Sequence, residues 1–201
     1  MSQPPLLPLV TLEGRFVRLV PMSLQYLEDL CEFGLDPELW KLSMPMIRTR
    51  DDMQRYIETA LREREEGKSL PFVTIEKTSG KAVGSSRYGN IAMEHRRLEI
   101  GWTWIAPVWQ RTAVNTEAKL LMLTHAFEQL HCMRVEFKTD SLNERSQNAL
   151  KRIGAKQEGI FRNHMITPSG RIRHSVYFSI TDEEWPVVKR SLETKLAQPR
   201  F

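Results

Sequence analysis

Between Ala113 and Leu130 the chain carries Val114, Ala118, Leu120, Leu121, Met122, Leu123, Ala126 and Phe127. At helical spacing these apolar groups point to most sides of the helix. Such a helix has no broad solvated stripe and must be buried against a sheet. Strands for that sheet lie on both sides of it in sequence. Leu70–Glu76, Ala82–Ile91 and Arg97–Ile105 are rich in β formers, and the first two are joined by the turn Thr78-Ser-Gly-Lys81. Upstream, Arg15–Val20 reads as a strand. Downstream, Met133–Lys138, Gln157–Thr167 and Arg171–Ile180 read as three more, the last two meeting at Pro168-Ser-Gly170.

Helices fill the intervals. Ser23 is placed to cap a helix running to about Phe33. Thr49 and Asp52 form a capping box, and the helix they open carries Met53, Tyr56, Ile57, Ala60 and Leu61 on one face. Another helix runs from Asn143 to Ile153 and stops at Gly154; a last one starts with caps at Thr181 or Asp182 and tolerates Pro186 in its first turn. The expected fold is α+β: a mixed, mostly antiparallel sheet of about seven strands flanked by helices. Residues 12–181 are expected to form one domain. Residues 1–11, broken by Pro4, Pro5 and Pro8, are expected to be an extended leader, and 182–201 a C-terminal helix and tail.

Composition narrows the function classes. The 201 residues are 41% hydrophobic and 27% charged, a globular balance, and no apolar run approaches the roughly 20 residues that span a bilayer. Net charge is +4, but the basic residues are scattered; Arg62 and Arg64 alternate with Glu63, Glu65 and Glu66. That pattern argues against a nucleic-acid partner and suits a small anion, and the lack of a spanning run leaves no membrane expected. The start of the chain lacks the charged segment of a signal peptide, so the cytoplasm is the expected compartment. Cys31 and Cys132 are far apart, and no His pair has ligand spacing, so two free thiols and no metal are expected.

The chemistry concentrates in the strand–loop–helix stretch from Glu99 to Ala118. A helix start offers unpaired amides and a positive dipole end, and Arg111 in the loop adds a forked cation, so this is a candidate anion cradle. Gln110-Arg-Thr-Ala-Val-Asn115, with Thr116-Glu-Ala behind it, resembles the acetyl-CoA pyrophosphate loop of the GNAT N-acetyltransferases. Asn143-Glu-Arg-Ser146 with Lys151-Arg-Ile-Gly-Ala155 is similar to that family's next strand–helix segment. Leu12-Glu-Gly-Arg-Phe-Val-Arg-Leu19, Glu158-Gly-Ile-Phe-Arg162, Gly170-Arg-Ile-Arg173 and Tyr177-Phe-Ser179 resemble the branch that acetylates ribosomal-protein N-termini.

The resemblance implies an acetyltransferase with acetyl-CoA as cosubstrate, no metal, and an amine as acceptor. Gln110, Arg111, Thr112, Ala113, Val114 and Asn115 are then expected to hold the pyrophosphate. Backbone at Trp104 and Ile105 is expected to face the thioester, and Asn143 and Ser146 the pantetheine and sulfur. Where the family usually has glycines, this chain has Ala113 and Asn115, which puts close approach of a phosphate in question. Many relatives protonate the thiolate with a tyrosine; the matching position here is Leu150, and Ser146 matches the donor of the ribosomal-protein branch. Ser146 as acid and Glu99 as base are the catalytic candidates. Ser146 and Asn143 also suit plain helix capping, and Glu99 also suits pairing with Arg87 or Arg97.

The acceptor stays open between a protein N-terminal α-amine and a small-molecule amine such as an antibiotic, polyamine or amino acid. A non-catalytic acyl-CoA sensor is a further alternative. The edge strands of the closing hairpin permit a homodimer. Trp40, Met44 and Met46 are expected near the acceptor pocket or in the core. Trp102 and Trp104 are expected on one face of their strand, and His164 and His174 across the closing hairpin from one another.

Overall fold

The computed structural model describes residues 6–198. The expected leader lies partly outside these residues, as does the end of the C-terminal tail. Eight strands form one sheet: β1 (Leu12–Glu13), β2 (Val17–Pro21), β3 (Ser69–Glu76), β4 (Ala82–Ala92), β5 (Arg97–Ile105), β6 (Arg134–Asp140), β7 (Lys156–Ile166) and β8 (Ile172–Thr181). Their order across the sheet is β1-β2-β3-β4-β5-β6-β8-β7. Every neighbouring pair is antiparallel except β5 and β6. The strand beyond the expected seven is β1, two residues that pair Leu12 with Leu19. So short a piece carries no periodicity of its own.

Five α-helices cover the sheet: α1 (Leu27–Gly34), α2 (Arg50–Glu65), α3 (Ala113–Thr124), α4 (Glu144–Arg152) and α5 (Trp185–Ala197). One face buries Val17, Leu70, Tyr88, Ile100 and Phe137 against Met122, Leu123, Leu150 and Leu192 of α3, α4 and α5. The other buries Val20, Val73 and Trp104 against Leu30, Met53 and Ile57 of α1 and α2. The near-continuous apolarity of α3 is thus explained by its place at the centre of the larger core. Its end differs from expectation: after Thr124 the helix widens into a π-turn, His125–Gln129, closed by Leu130 N–H donating to His125 O at 3.0 Å.

Caps follow the sequence in some places and not in others. The Thr49–Asp52 box is present in both directions. Backbone bonds hold the Asp52 carboxyl down to about 2, those of Arg48 first and Thr49 with them. Ser23 precedes a short 3-10 turn rather than α1 and makes no side-chain cap. The last helix begins at Trp185, not at Thr181 or Asp182; there the Glu184 carboxylate accepts from Thr181 N–H at 3.0 Å, and Pro186 lies in the first turn. Cys31 and Cys132 are free thiols. No helix of the described residues is long and apolar enough to cross a membrane.

Two irregularities position the site. The first is the parallel junction. Pairing of β5 with β6 runs only from Arg97↔Arg134 to Glu99↔Glu136, while β5 continues to Ile105 and β6 to Asp140. Beyond residue 99 the two strands part, and their facing amides and carbonyls are left to line a cleft. The second is a β-bulge in β5. Ser85 pairs with Trp104 and Arg87 with Gly101, so Trp102 and Thr103 together oppose Ser86. Trp102 takes a left-handed backbone there, with φ 51°, a costly conformation for a bulky residue.

Candidate active site

The bulge sets which side chains reach which face. Glu99, Trp102 and Trp104 turn toward the α1–α2 side, and Thr103 and Ile105 toward α3. Trp102 and Trp104 therefore share a face as expected, but with different roles. Trp104 is buried and packs on Trp40, ring centroids 5.7 Å apart. Trp40 donates to Gly34 O at 2.7 Å and belongs to the core. Trp102 is partly exposed and covers Gly89, where an added Cβ would sit 2.3 Å from its ring. It walls a hollow of about 270 Å³ with Met46, Tyr56, Glu63 and Arg87. Arg87 is 2% exposed. It lies over the Tyr56 ring at 4.4 Å and pairs with Glu63 at 3.0 Å, while its Nε is buried without a partner.

The cofactor-side residues assemble at the mouth of the cleft. Thr112 caps α3, its hydroxyl accepting from Val114 N–H at 3.3 Å and donating to Trp109 O at 2.6 Å. Gln110 donates to Ile105 O at 2.8 Å and accepts from Arg145 of α4 at 2.9 Å, tying loop, strand and second helix together. Arg111 takes a left-handed backbone, φ 62°, which starts the helix abruptly. Ala113 and Asn115 both lie in the first turn of α3 with ordinary helical backbone. Neither position needs the dihedral freedom of glycine. The first turn holds no acid, so the positive end of the helix is unneutralised. The Asn115 amide oxygen is buried without a donor, which a hydroxyl or amide of a bound cofactor can satisfy. These residues fit an anionic, amide-bearing cofactor.

Across the cleft, Asn143 caps α4 by accepting from Ser146 N–H at 3.0 Å. The capping role is real, and it leaves the Asn143 amide NH₂ for a ligand. The Ser146 hydroxyl is half-buried and makes no hydrogen bond within the described residues. Leu150 is buried in the core. α4 begins a few residues after the end of β6, so Ser146 belongs to the wall of the cleft opposite β5.

Glu99 is 3% exposed and pairs with neither Arg87 nor Arg97. Its Oε2 accepts from Asn90 Nδ2 at 2.6 Å and lies 3.5 Å from Lys138 Nζ. Its Oε1 has no donor among the described residues. The face it looks onto, formed by β6, β8 and β7, carries no helix among the described residues. His164 stands there against Phe161 and Tyr177, its Nδ1 2.9 Å from Ser175 Oγ. Burial first, then Lys138 and Arg173, lower the His164 pKa, which keeps the ring neutral at pH 7. His174 does not face it; its Nδ1 accepts from Asn163 N–H at 2.8 Å. No group of three His, Cys, Asp or Glu able to hold a metal occurs among the described residues.

Lys119 escaped the sequence reading. It sits on the buried side of α3, 5% exposed, over the β5 bulge. Its Nζ donates to Thr103 Oγ1 at 2.7 Å and to Ser86 Oγ at 3.2 Å, with no carboxylate in reach. Burial alone pushes its pKa down to about 7. The available signal was its position: a lysine inside Ala118-Lys-Leu-Leu-Met-Leu123, on a helix with no solvated side.

A parted parallel junction with a capped helix start at its mouth is the architecture of an acyl-CoA-dependent acyltransferase. Residues 17–156 match the acetyltransferase (GNAT) domain, and the chain belongs to that family. YdaF of Bacillus subtilis, whose name proposes a ribosomal N-acetyltransferase, is 32% identical over 53% of this chain; the match spans 57% of YdaF. A GCN5-related N-acetyltransferase from Brucella melitensis is 30% identical, with 96% of this chain and 88% of that one covered and a TM-score of 0.88. RimJ of Mycobacterium smegmatis, in complex with CoA-disulfide, shares the fold at 23% identity, with 94% and 92% covered and a TM-score of 0.74.

Proposed function

We propose that this protein transfers an acetyl group from acetyl-CoA to an amine, and that the acceptor is a protein N-terminal α-amine. The observation that carries the reading is the cleft between β5 and β6, with the unneutralised start of α3 at its mouth. When bound, acetyl-CoA supplies the thioester that an amine attacks. Arg111, Thr112, Ala113 and Asn115 bind its pyrophosphate through amides and the Arg111 guanidinium, while Gln110 and Val114, whose N–H groups donate to Pro107 O and Thr112 Oγ1, shape the loop around it. Backbone amides of β5 near Trp104 and Ile105, unpaired after the strands part, hold the carbonyl oxygen as negative charge develops. Asn143 orients the pantetheine through its NH₂. Ser146 donates to the departing sulfur. Glu99 takes the ammonium proton through Oε1, while Asn90 and Lys138 hold its Oε2 in place.

An N-terminal peptide as acceptor is supported by the helix-free face of β6, β8 and β7 beside Glu99, which leaves room for an extended chain, and by the name of YdaF. The small hollow walled by Trp102, Tyr56 and Arg87 favours the second reading, a small-molecule amine. Calorimetry with acetyl-CoA comes first, with desulfo-CoA and ATP as controls. CoA release is then followed with peptides bearing free N-termini and with polyamines, aminoglycosides and amino acids. Micromolar binding with peptide-dependent release is the expected result. Release only with small amines selects the second reading. Binding without turnover by any amine indicates a sensor, and no binding at millimolar acetyl-CoA overturns the proposal.

A further inference from the structure

Arg87 holds a guanidinium inside the protein with its donor fork unmatched. The residue is 2% exposed. Its Nη1 donates to Glu63 at 3.0 Å, and its Nη2 makes one long bond to Tyr56 O at 3.5 Å. Its Nε is buried with no partner among the described residues. A guanidinium carries N–H groups set for two parallel bonds to one carboxylate, and a single bond to Glu63 does not use that geometry. The Tyr56 and Trp102 rings pack against it, 4.4 and 5.6 Å away. A buried donor without an acceptor is costly, and an incoming carboxylate would remove the cost. Glu63 lies near the end of α2 with its side chain 33% exposed, so it can turn to water where Arg87 cannot. Both residues line the hollow behind Trp102. Asp52 and Arg55, which also line it, pair with one another.

Register fixes where this hollow stands relative to Glu99. Arg87 pairs with Gly101 and Gly89 with Glu99, so Arg87 and Glu99 share one face of the sheet. They are diagonal neighbours on adjacent strands, a relation that sets backbones about 7–8 Å apart. The Trp102 ring lies over Gly89, the residue opposite Glu99, and borders the hollow. We propose that Arg87 determines acceptor specificity by binding a carboxylate that the acceptor carries a few bonds from the amine it presents to Glu99. Glu63 fills that place until the acceptor's carboxylate displaces it. The inference rests on the proposed transferase taking its amine on the Glu99 face. The carboxylate has two possible sources, an acidic side chain near the N-terminus of a peptide or the carboxyl group of a small amino acid. A hollow of about 270 Å³ has room for either. A purely cationic acceptor, such as a polyamine, brings nothing that the Arg87 fork can hold.

The test reads acceptor binding in the presence of CoA, where no transfer can occur. Peptides with Glu at their first or second residue are compared by calorimetry with their Gln isosteres, and small amino acids with the corresponding amides. In wild type the carboxylate form of at least one pair should bind about 10- to 100-fold more tightly. Which pair responds tells the two sources apart. Glu63→Gln removes the competing carboxylate and should tighten the charged ligand by about 3- to 10-fold, with the neutral one unchanged. Arg87→Met should abolish the preference, and Arg87→Lys, a point charge without the fork, should keep only part of it. Wild type that prefers the carboxylate in no pair overturns the proposal, as does an Arg87→Met variant that keeps the preference. Where Arg87→Met does not fold, a Glu63→Gln variant that fails to tighten the charged ligand overturns it. If no amine is acetylated while the preference through Arg87 persists, the transferase reading falls and the carboxylate site stands. If charged and neutral acceptors are bound and acetylated alike, only this inference falls.

Discussion

Two charged side chains buried on α3 show opposite ways of holding a charge inside a protein. Glu117 accepts three backbone N–H groups, from Arg15 at 2.8 Å, Phe16 at 2.6 Å and Val17 at 2.7 Å. It thereby fastens the start of β2 to the central helix. Glu117→Ala leaves those donors without partners and should lower stability by about 2–4 kcal/mol, read by urea denaturation. Glu117→Gln, which still offers one acceptor oxygen, should lose about half as much. Equal losses would show that charge rather than acceptor geometry matters. Lys119 has no such set of partners. Its folded pKa, about 7, lies below the unfolded 10.5, so the folded chain binds fewer protons in that window and stability rises with pH from about 7 upward. Cys132 acts in the other direction: burial pushes it up to about 11, so its contribution is lost as pH climbs from its ordinary 9.0 through that value. Stability of wild type relative to K119M should therefore increase between about pH 7 and 10, with Cys132 cancelling in the comparison. A flat difference would mean that Lys119 is not charged-form destabilised.

At the scale of elements, strands and helices were legible because burial imposes their periods. Leu70–Glu76, Arg97–Ile105 and the capping box at Thr49 were readable for that reason. What escaped depends on contacts distant in sequence. β1 exists because Leu12 meets Leu19. The β5 bulge exists because Trp102 and Thr103 share one partner on β4, and alternation alone cannot report an extra residue. Gly89 is part of that bulge in space. Its missing side chain lets the Trp102 ring approach β4 closely, and a Cβ there would stand 2.3 Å from the ring. Gly89→Ala should push Trp102 out of the hollow. The expected result is a rise of about 10-fold in KM for the amine acceptor, with the Kd for acetyl-CoA unchanged, since α3 and the cleft mouth are not touched. A parallel loss of acetyl-CoA affinity would show that the bulge carries the cofactor site as well.

In the molecule as a whole, the sheet is joined across its middle by only three parallel register pairs, Arg97↔Arg134 to Glu99↔Glu136. Periodicity revealed both strands and not their divergence, because a strand that leaves its neighbour keeps the same alternation of side chains. The candidate site shows the same division. Gln110–Asn115, Asn143 and Ser146 were readable from local motifs, whereas Asn90 and Lys138, which hold Glu99, join the candidate site only through the fold. A cleft of this kind leaves main-chain donors and acceptors facing solvent in the middle of a sheet, where neighbouring strands normally satisfy them. A ligand lying between β5 and β6 would complete the sheet, so its effect should be large and confined. Acetyl-CoA at 100 times its Kd should add about 2.7 kcal/mol and raise the unfolding midpoint by about 5–10 °C. Hydrogen exchange should slow at 100–105 of β5, at 137–140 of β6 and in the first turn of α3. The β2–β3 pair, already bonded on both sides, should not change beyond the global shift. Protection centred instead on β7 and β8 would place the cofactor on the helix-free face and would reverse the assignment of the two sides of the cleft.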